Sequence, residues 1–231
     1  MSNMTSTGRH FLAGIDELKR ELALQGTTVS ARLAQAVRGL ATRDLHALDE
    51  VAIGDGDINA RQMGIDDRAF KLLALQQPVA IDLRVIVAAI KVNADLERIG
   101  DLAVNIAEAS RRYIDYGTIS EQQAVLPRMA EVAETMLHWA IDAFVTGNVG
   151  LAQTVLERDD ILDTLRDQAF RRLADTMAKA PACVPSALEL MLLTRHFERI
   201  GDHATNIAED VFFVVAGEDV RHHAHGLSAS G

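Results

Sequence analysis

Glu97 and Asp101 stand four residues apart, and so do Glu198 and Asp202. On a helix this spacing puts both carboxylates of a pair on one face. Asn105 and Glu108 continue the first stripe, and Asn206 and Glu209 continue the second. Like charges one turn apart cost an isolated helix roughly 0.2–0.5 kcal/mol per pair, a cost that a bound cation would offset. Carboxylate and amide oxygens suit hard or borderline ions such as Mg²⁺, Mn²⁺, iron or Ca²⁺. Asp55 with Asn59, and Asp159 with Asp163, show the same spacing. Facing the stripes from a neighbouring helix, they would give each half of the chain one oxygen-rich site. The competing reading is a solvated acidic face, neutralised locally by Arg98 and Arg199.

The two stripes belong to an internal repeat. Glu97-Arg98-Ile99-Gly100-Asp101 recurs as Glu198-Arg199-Ile200-Gly201-Asp202, and ten of the twelve positions from Glu97 to Glu108 are identical at an offset of 101. Chance does not produce that agreement within one chain, and repeats of this kind fix architecture. A weaker echo pairs Asp55 and Asn59 with Asp159 and Asp163 at an offset of 104, which requires the following connections to differ by three residues. A rival register, at an offset of 100, pairs Asp67 and Phe70 with Asp167 and Phe170; the two exclude one another without an insertion. Glycine inside a helix costs about 1 kcal/mol against alanine, so Gly100 and Gly201 point to close helix–helix approach.

The elements that carry these residues read as helices. Apolar residues fall at steps of three and four, as in Phe11, Ile15, Leu18 and Leu22, and again from Val85 through Ala88, Val92, Leu96, Ile99 and Leu102 to Ile106. The spacing and the breaks at Pro78, Tyr116-Gly117-Thr118, Thr146-Gly147-Asn148 and Pro181 predict six long helices, over 8–41, 44–76, 80–114, 121–147, 149–179 and 185–216. The fold class is therefore all-α: two tandem three-helix bundle repeats, the first over 1–117, the second over 118–220, and a tail over 221–231.

Composition narrows the function. The 231-residue chain carries a formal charge of -10, with 23 Lys and Arg against 33 Asp and Glu. That balance argues against a nucleic-acid-binding face and against a polybasic membrane anchor. No apolar run approaches the ~20 residues of a membrane span, and the start of the chain has no apolar leader core, so a cytoplasmic protein without membrane insertion is expected. The single cysteine, Cys183, excludes an intrachain disulfide and a multi-thiolate zinc site. Nucleotide-binding loops, nucleophile elbows, His-Glu-x-x-His and Glu-x-x-His are all missing from the sequence. No residue is assigned a catalytic role. Trp139 and the Phe212-Phe213 pair read as core, and His222, His223 and His225 as part of a frayed tail. A carboxylate-bundle metalloenzyme and a helical metal-binding adaptor of another pathway are the alternatives these residues leave open.

Two copies of Glu-Arg-Ile-Gly-Asp on the third helix of tandem three-helix units resemble the PhoU family of phosphate-transport accessory proteins. Gln77-Pro78 leading to Asp82-Leu83-Arg84 is similar to that family's entry to its third helix, and Gly217-Glu218-Asp219-Val220-Arg221-His222 to its C-terminal signature. The resemblance spans nearly the whole chain. It implies a non-enzymatic cytoplasmic regulator, often a homodimer. Such a protein acts with the ATPase subunit of the phosphate ABC transporter and with a sensor histidine kinase. It restrains uptake and keeps the phosphate-starvation response off. It also implies metal clusters in some members, here with iron, Mg, Mn or Zn ions at Glu97, Asp101, Glu198 and Asp202, faced by Asp55, Asn59, Asp159 and Asp163. Asn59 departs from a strictly acidic pattern.

Overall fold

The structure is a computed structural model that describes residues 6–53, 56–76, 81–117, 119, 125–215 and 217. The described residues form seven α-helices and a short 3₁₀ turn: α1 (Ser6–Thr42), α2 (Leu45–Ile53), α3 (Gly56–Gln76), α4 (Ile81–Tyr116), α5 (Val125–Thr146), α6 (Val149–Lys179), the turn Pro181–Cys183 and α7 (Val184–Val215). No strand occurs among them. The all-α fold of two tandem units is as expected. The segment expected to be helical over 44–76 is helical on both sides of residues 54 and 55, which lie outside the described residues.

The corners between helices repeat as closely as the motifs do. Gly147 ends α5 at φ 68°, the Asn148 N–H returns to the Ala143 carbonyl at 2.9 Å, and the Asn148 side chain caps α6 by accepting from the Leu151 N–H at 3.0 Å. The first unit has the same reversal 104 residues earlier. There Arg43 takes the left-handed conformation at φ 57°, the Asp44 N–H returns to the Gly39 carbonyl at 2.9 Å, and Asp44 accepts from the Ala47 N–H at 3.1 Å. Each corner joins a left-handed helix stop to an N-cap for the next helix within two residues.

Helices α4 and α7 lie at the centre of the molecule and make its most extensive interhelix contact. They run antiparallel, as their polar contacts show. The Lys91 ammonium reaches the buried carboxylate of Asp210 at 3.2 Å and lies 5.0 Å from the Phe213 ring centre. Asp95 lies 2.8 Å from the His203 ring Nδ1 and accepts from the Asn206 amide at 3.3 Å. Arg112 donates to Glu189 at 3.0 Å. Small residues line the two helices: Ala88, Ala89, Ala103 and Ala107 on α4 and Ala187, Ala204 and Ala208 on α7 are all buried. Helices α1 and α3 cover α4, helices α5 and α6 cover α7, and α1 also packs on α5. One apolar core runs through both units. Trp139, Phe212 and Phe213 are half-buried against that core, as expected, and the Arg158 guanidinium lies 4.4 Å from the Trp139 ring centre. No helix among the described residues is long and apolar enough to cross a membrane.

Packing decides the register of the repeat. Ile58 faces Gly100, and Leu162 faces Gly201. Ile65 and Ala69 are buried in α3 as Ala169 and Leu173 are buried in α6. All three pairs are 104 apart, so the offset of 104 holds for these helices and the rival offset of 100 fails. A Cβ on Gly201 would stand 2.5 Å from the Leu162 Cδ1, whereas one on Gly100 would stand 3.1 Å from the Ile58 Cδ1. Leu162 is fully buried and has little room to retreat. Overpacking of this kind costs about 1–3 kcal/mol, against a helix-propensity gain of about 1 kcal/mol. Gly201→Ala is therefore expected to lower stability in urea unfolding clearly more than Gly100→Ala, which needs a shift of only a few tenths of an ångström. Equal losses from the two substitutions would contradict this packing.

Candidate functional site

The second unit assembles the acidic cluster that the spacing predicts. Leu162 packs on Gly201 and draws α6 against α7, so that Asp159 Oδ1 comes within 3.3 Å of where a Cβ of Gly201 would lie. The glycine thus brings a carboxylate of one helix onto the backbone of the next. Asp163, Glu198 and Asp202 are then close enough for their charges to act on Asp159. Burial, reinforced by the negative charges of Asp202, Asp163, Asp160 and Glu198, pushes the Asp159 carboxyl up to about 6. Glu198 is also raised, by desolvation first and Asp202 second, against the opposing pull of Arg166. Asp202 is raised by desolvation and by Asp163, while His203, Arg166 and Arg199 pull the other way.

Arg166 was not among the residues singled out from spacing, yet it stands inside this cluster. Its Nη1 donates to Glu198 across the helix interface and lies 3.1 Å from Asp163 Oδ1 one turn back. Its Nε and Nη2 reach Asp167 Oδ1 at 3.1 and 3.0 Å. The available signal was weak: an arginine three residues after Asp163 and seven after Asp159 shares their helix face. The partner across the interface, Glu198, cannot be read from local spacing.

The first unit is built on the same frame with different side chains. Ile58 on Gly100 places Asn59 at the position of Asp163, and Asn59 is exposed. Asp55 lies outside the described residues, as do His222, His223, His225 and the Glu218–His222 part of the C-terminal signature. Glu97 and Asp101 share α4 with Arg98, whose guanidinium lies 3.7 Å from Glu97 and 4.0 Å from Asp101. The outer members of the stripes do other work. The Asn206 amide donates to Asp95 in the α4–α7 contact, and Glu108 pairs with Arg112 at 3.8 Å. Asn105 is half-buried one turn beyond Asp101, and Glu209 is half-buried one turn before Phe213.

The donor set of the second unit suits a hard cation, since it consists of carboxylate oxygens held near one another. The arrangement does not, because a guanidinium already bridges Glu198 and Asp163. Among the described residues no group of three or more His, Cys, Asp or Glu side chains is drawn together as a metal site. As it stands, the cluster is an acidic patch of raised proton affinity, locked to one arginine.

This has a measurable consequence. The folded chain holds the Asp159 proton up to pH of about 6, whereas the unfolded chain releases it near the ordinary carboxylate value of about 3.9. The stabilising contribution of protonated Asp159 is therefore present in acid and is lost as pH rises through about 6. Asp159→Asn removes the buried charge and its repulsion by the neighbouring carboxylates, and is expected to raise Tm near neutral pH. Allowing for solvent screening of a half-exposed group, the gain is about 1 kcal/mol, or roughly 2–4 °C. Thermal unfolding of chelator-treated protein should show this gain shrinking toward zero below about pH 4. A fall in Tm at neutral pH would contradict the electrostatic account.

Comparison with known proteins places this arrangement. The family model described as PhoU domain matches twice, over residues 22–110 and 126–211. The phosphate-specific transport system accessory protein PhoU homolog of Caulobacter vibrioides (strain NA1000 / CB15N) is 34% identical over 203 residues, 88% of this chain and 88% of that protein. The homolog of the same name from Pseudomonas aeruginosa is 33% identical over 226 residues, 96% of this chain and 93% of its own. The crystal structure of PhoU from Pseudomonas aeruginosa superposes with a TM-score of 0.87 at 32% identity, over 90% of this chain and 100% of that one. That of the phosphate transport system regulatory protein PhoU from Streptococcus pneumoniae gives 0.84 at 26% identity, over 91% and 99%. With its Glu-Arg-Ile-Gly-Asp motif duplicated on the two central helices and a family match in each half, the chain belongs to the PhoU family.

Proposed function

We propose that this protein is a regulator of phosphate uptake that keeps the phosphate-starvation response off while phosphate is plentiful. The observation that carries the reading is the pair of family matches, one per half, each containing a copy of the duplicated motif. Relatives covered over 88% to 96% of this chain bear the name phosphate-specific transport system accessory protein. On this reading the protein works in the cytoplasm, as a homodimer, between the ATPase subunit of the phosphate ABC transporter and a sensor histidine kinase. The chemistry is recognition and not turnover. An acidic surface with a formal charge of -10 favours basic partner faces and speeds their encounter. A docked partner changes the output of the transporter or kinase only through unequal affinity for their states. Mg, Mn, iron or Zn ions at the Glu97–Asp101 stripe would strengthen such docking by bridging to phosphate or to a partner's carboxylate.

Cells lacking the gene, grown in ample phosphate, are expected to express a phosphatase reporter of the starvation response at high level. Restoring the wild-type copy should repress it. A reporter that stays low without the gene, in a strain with no second copy of the family, would contradict the negative-regulator reading.

A further inference from the structure

The two acidic stripes are set on equivalent frames, and beside the Asn59–Asp163 difference a second position sets them apart. By the offset of 104 that Ile58 and Leu162 establish, the counterpart of Arg166 in the first unit is Gln62. Gln62 is neutral, and its backbone carbonyl accepts from Asn93 at 3.0 Å. Arg166 carries a permanent positive charge, since a guanidinium does not lose its proton in proteins. It spends its donors on Glu198, Asp163 and Asp167, and its side chain is 28% exposed. A divalent cation drawn to the second stripe would need those same Glu198 and Asp163 oxygens.

We propose that Arg166 is a built-in counter-ion that holds the place of a divalent cation in the second unit, so that the two stripes are inequivalent toward metal ions. A divalent ion enters the second stripe only by displacing the guanidinium from Glu198 and Asp163. The guanidinium has a geometric reason to prevail. It is tethered to α6 one turn from Asp163, so its local concentration is fixed and it pays no loss of free translation on binding. It also satisfies two helices at once, tying α6 to α7 at the glycine contact. This inference concerns the second stripe alone and does not rest on the phosphate-response reading.

The test is calorimetric titration of the full-length, chelator-stripped protein with Mn²⁺. Arg166→Gln, which installs the residue of the first unit, is expected to bind one more Mn²⁺ per chain than the wild type, or to bind at the second stripe about tenfold more tightly or better, as removal of a neighbouring positive charge requires. Arg166→Lys should behave more like the wild type than Arg166→Gln does. Adding Glu198→Gln to the Arg166→Gln variant should abolish the gain. A well-folded Arg166→Gln protein with wild-type Mn²⁺ stoichiometry and affinity would overturn the proposal. Should Arg166→Gln fail to fold, the wild-type frame still decides the matter. Glu198→Gln with Asp202→Asn should leave Mn²⁺ binding unchanged, and loss of a site there would show that the second stripe already binds the ion.

Discussion

The antiparallel contact of α4 with α7 is the constraint on which the rest of the molecule depends. Each is the last helix of its unit and carries its unit's copy of the duplicated motif, and each is buried on several sides at once. The polar pairs at Lys91–Asp210, Asp95–His203 and Arg112–Glu189 set the direction and register of the pair. Asp210 is the most demanding of these groups, since its side chain is only 3% exposed. Removing the cation beside a buried carboxylate leaves that charge unpaired, a larger loss than the intact pair contributes to stability. Such contacts therefore select an arrangement more than they strengthen it. The remaining helices have no comparable freedom: they pack where α4 and α7 leave apolar faces.

Glycine and charge act together on the outer sides of that central pair. Gly201 removes a side chain where α6 crosses α7, and the gap is filled by Leu162 from one side and approached by Asp159 from the other. The close approach buries carboxylates beside one another; burial first, and the neighbouring negative charges second, raise the proton affinity of Asp159, Glu198 and Asp202. Arg166 answers the crowding from within the same helix. In the first unit the crossing is looser at Gly100, and amides stand where the second unit has Asp163 and Arg166. The duplicated frame has thus diverged in its electrostatics while conserving its packing, so the two halves offer partners two different faces.

Much of this was legible in the spacing of residues. The helical periodicity, the glycine–asparagine corner before α6 and the repeat of Glu-Arg-Ile-Gly-Asp are all local features, and the structure carries each of them. The offset of 104 was legible only as one of two registers. It took Ile58 on Gly100 and Leu162 on Gly201 to decide it, because a one-in-four acidic pattern fits several alignments whereas a side chain fits one gap. The Arg43–Asp44 corner falls in the gap between the helices expected over 8–41 and 44–76, although the left-handed conformation of Arg43 has no sequence signature of its own. Arg166 and the Asp95–His203 contact lay beyond reach for a different reason: each joins residues 32 or 108 positions apart, and nothing local specifies such a pairing.

The central claim is that α4 and α7 fuse the two repeats into one cooperative body. Trp139, the sole tryptophan, lies in α5 of the second unit against Arg158 of α6, so its fluorescence reports chiefly that unit, while far-ultraviolet circular dichroism reports both. Urea unfolding followed by the two probes on one sample is the most direct test. A shared core and the polar seam between α4 and α7 predict coincident single transitions with the same midpoint and slope. A tryptophan transition displaced from the dichroism curve, or a dichroism curve in two steps, would show two units that fold separately and would contradict the account.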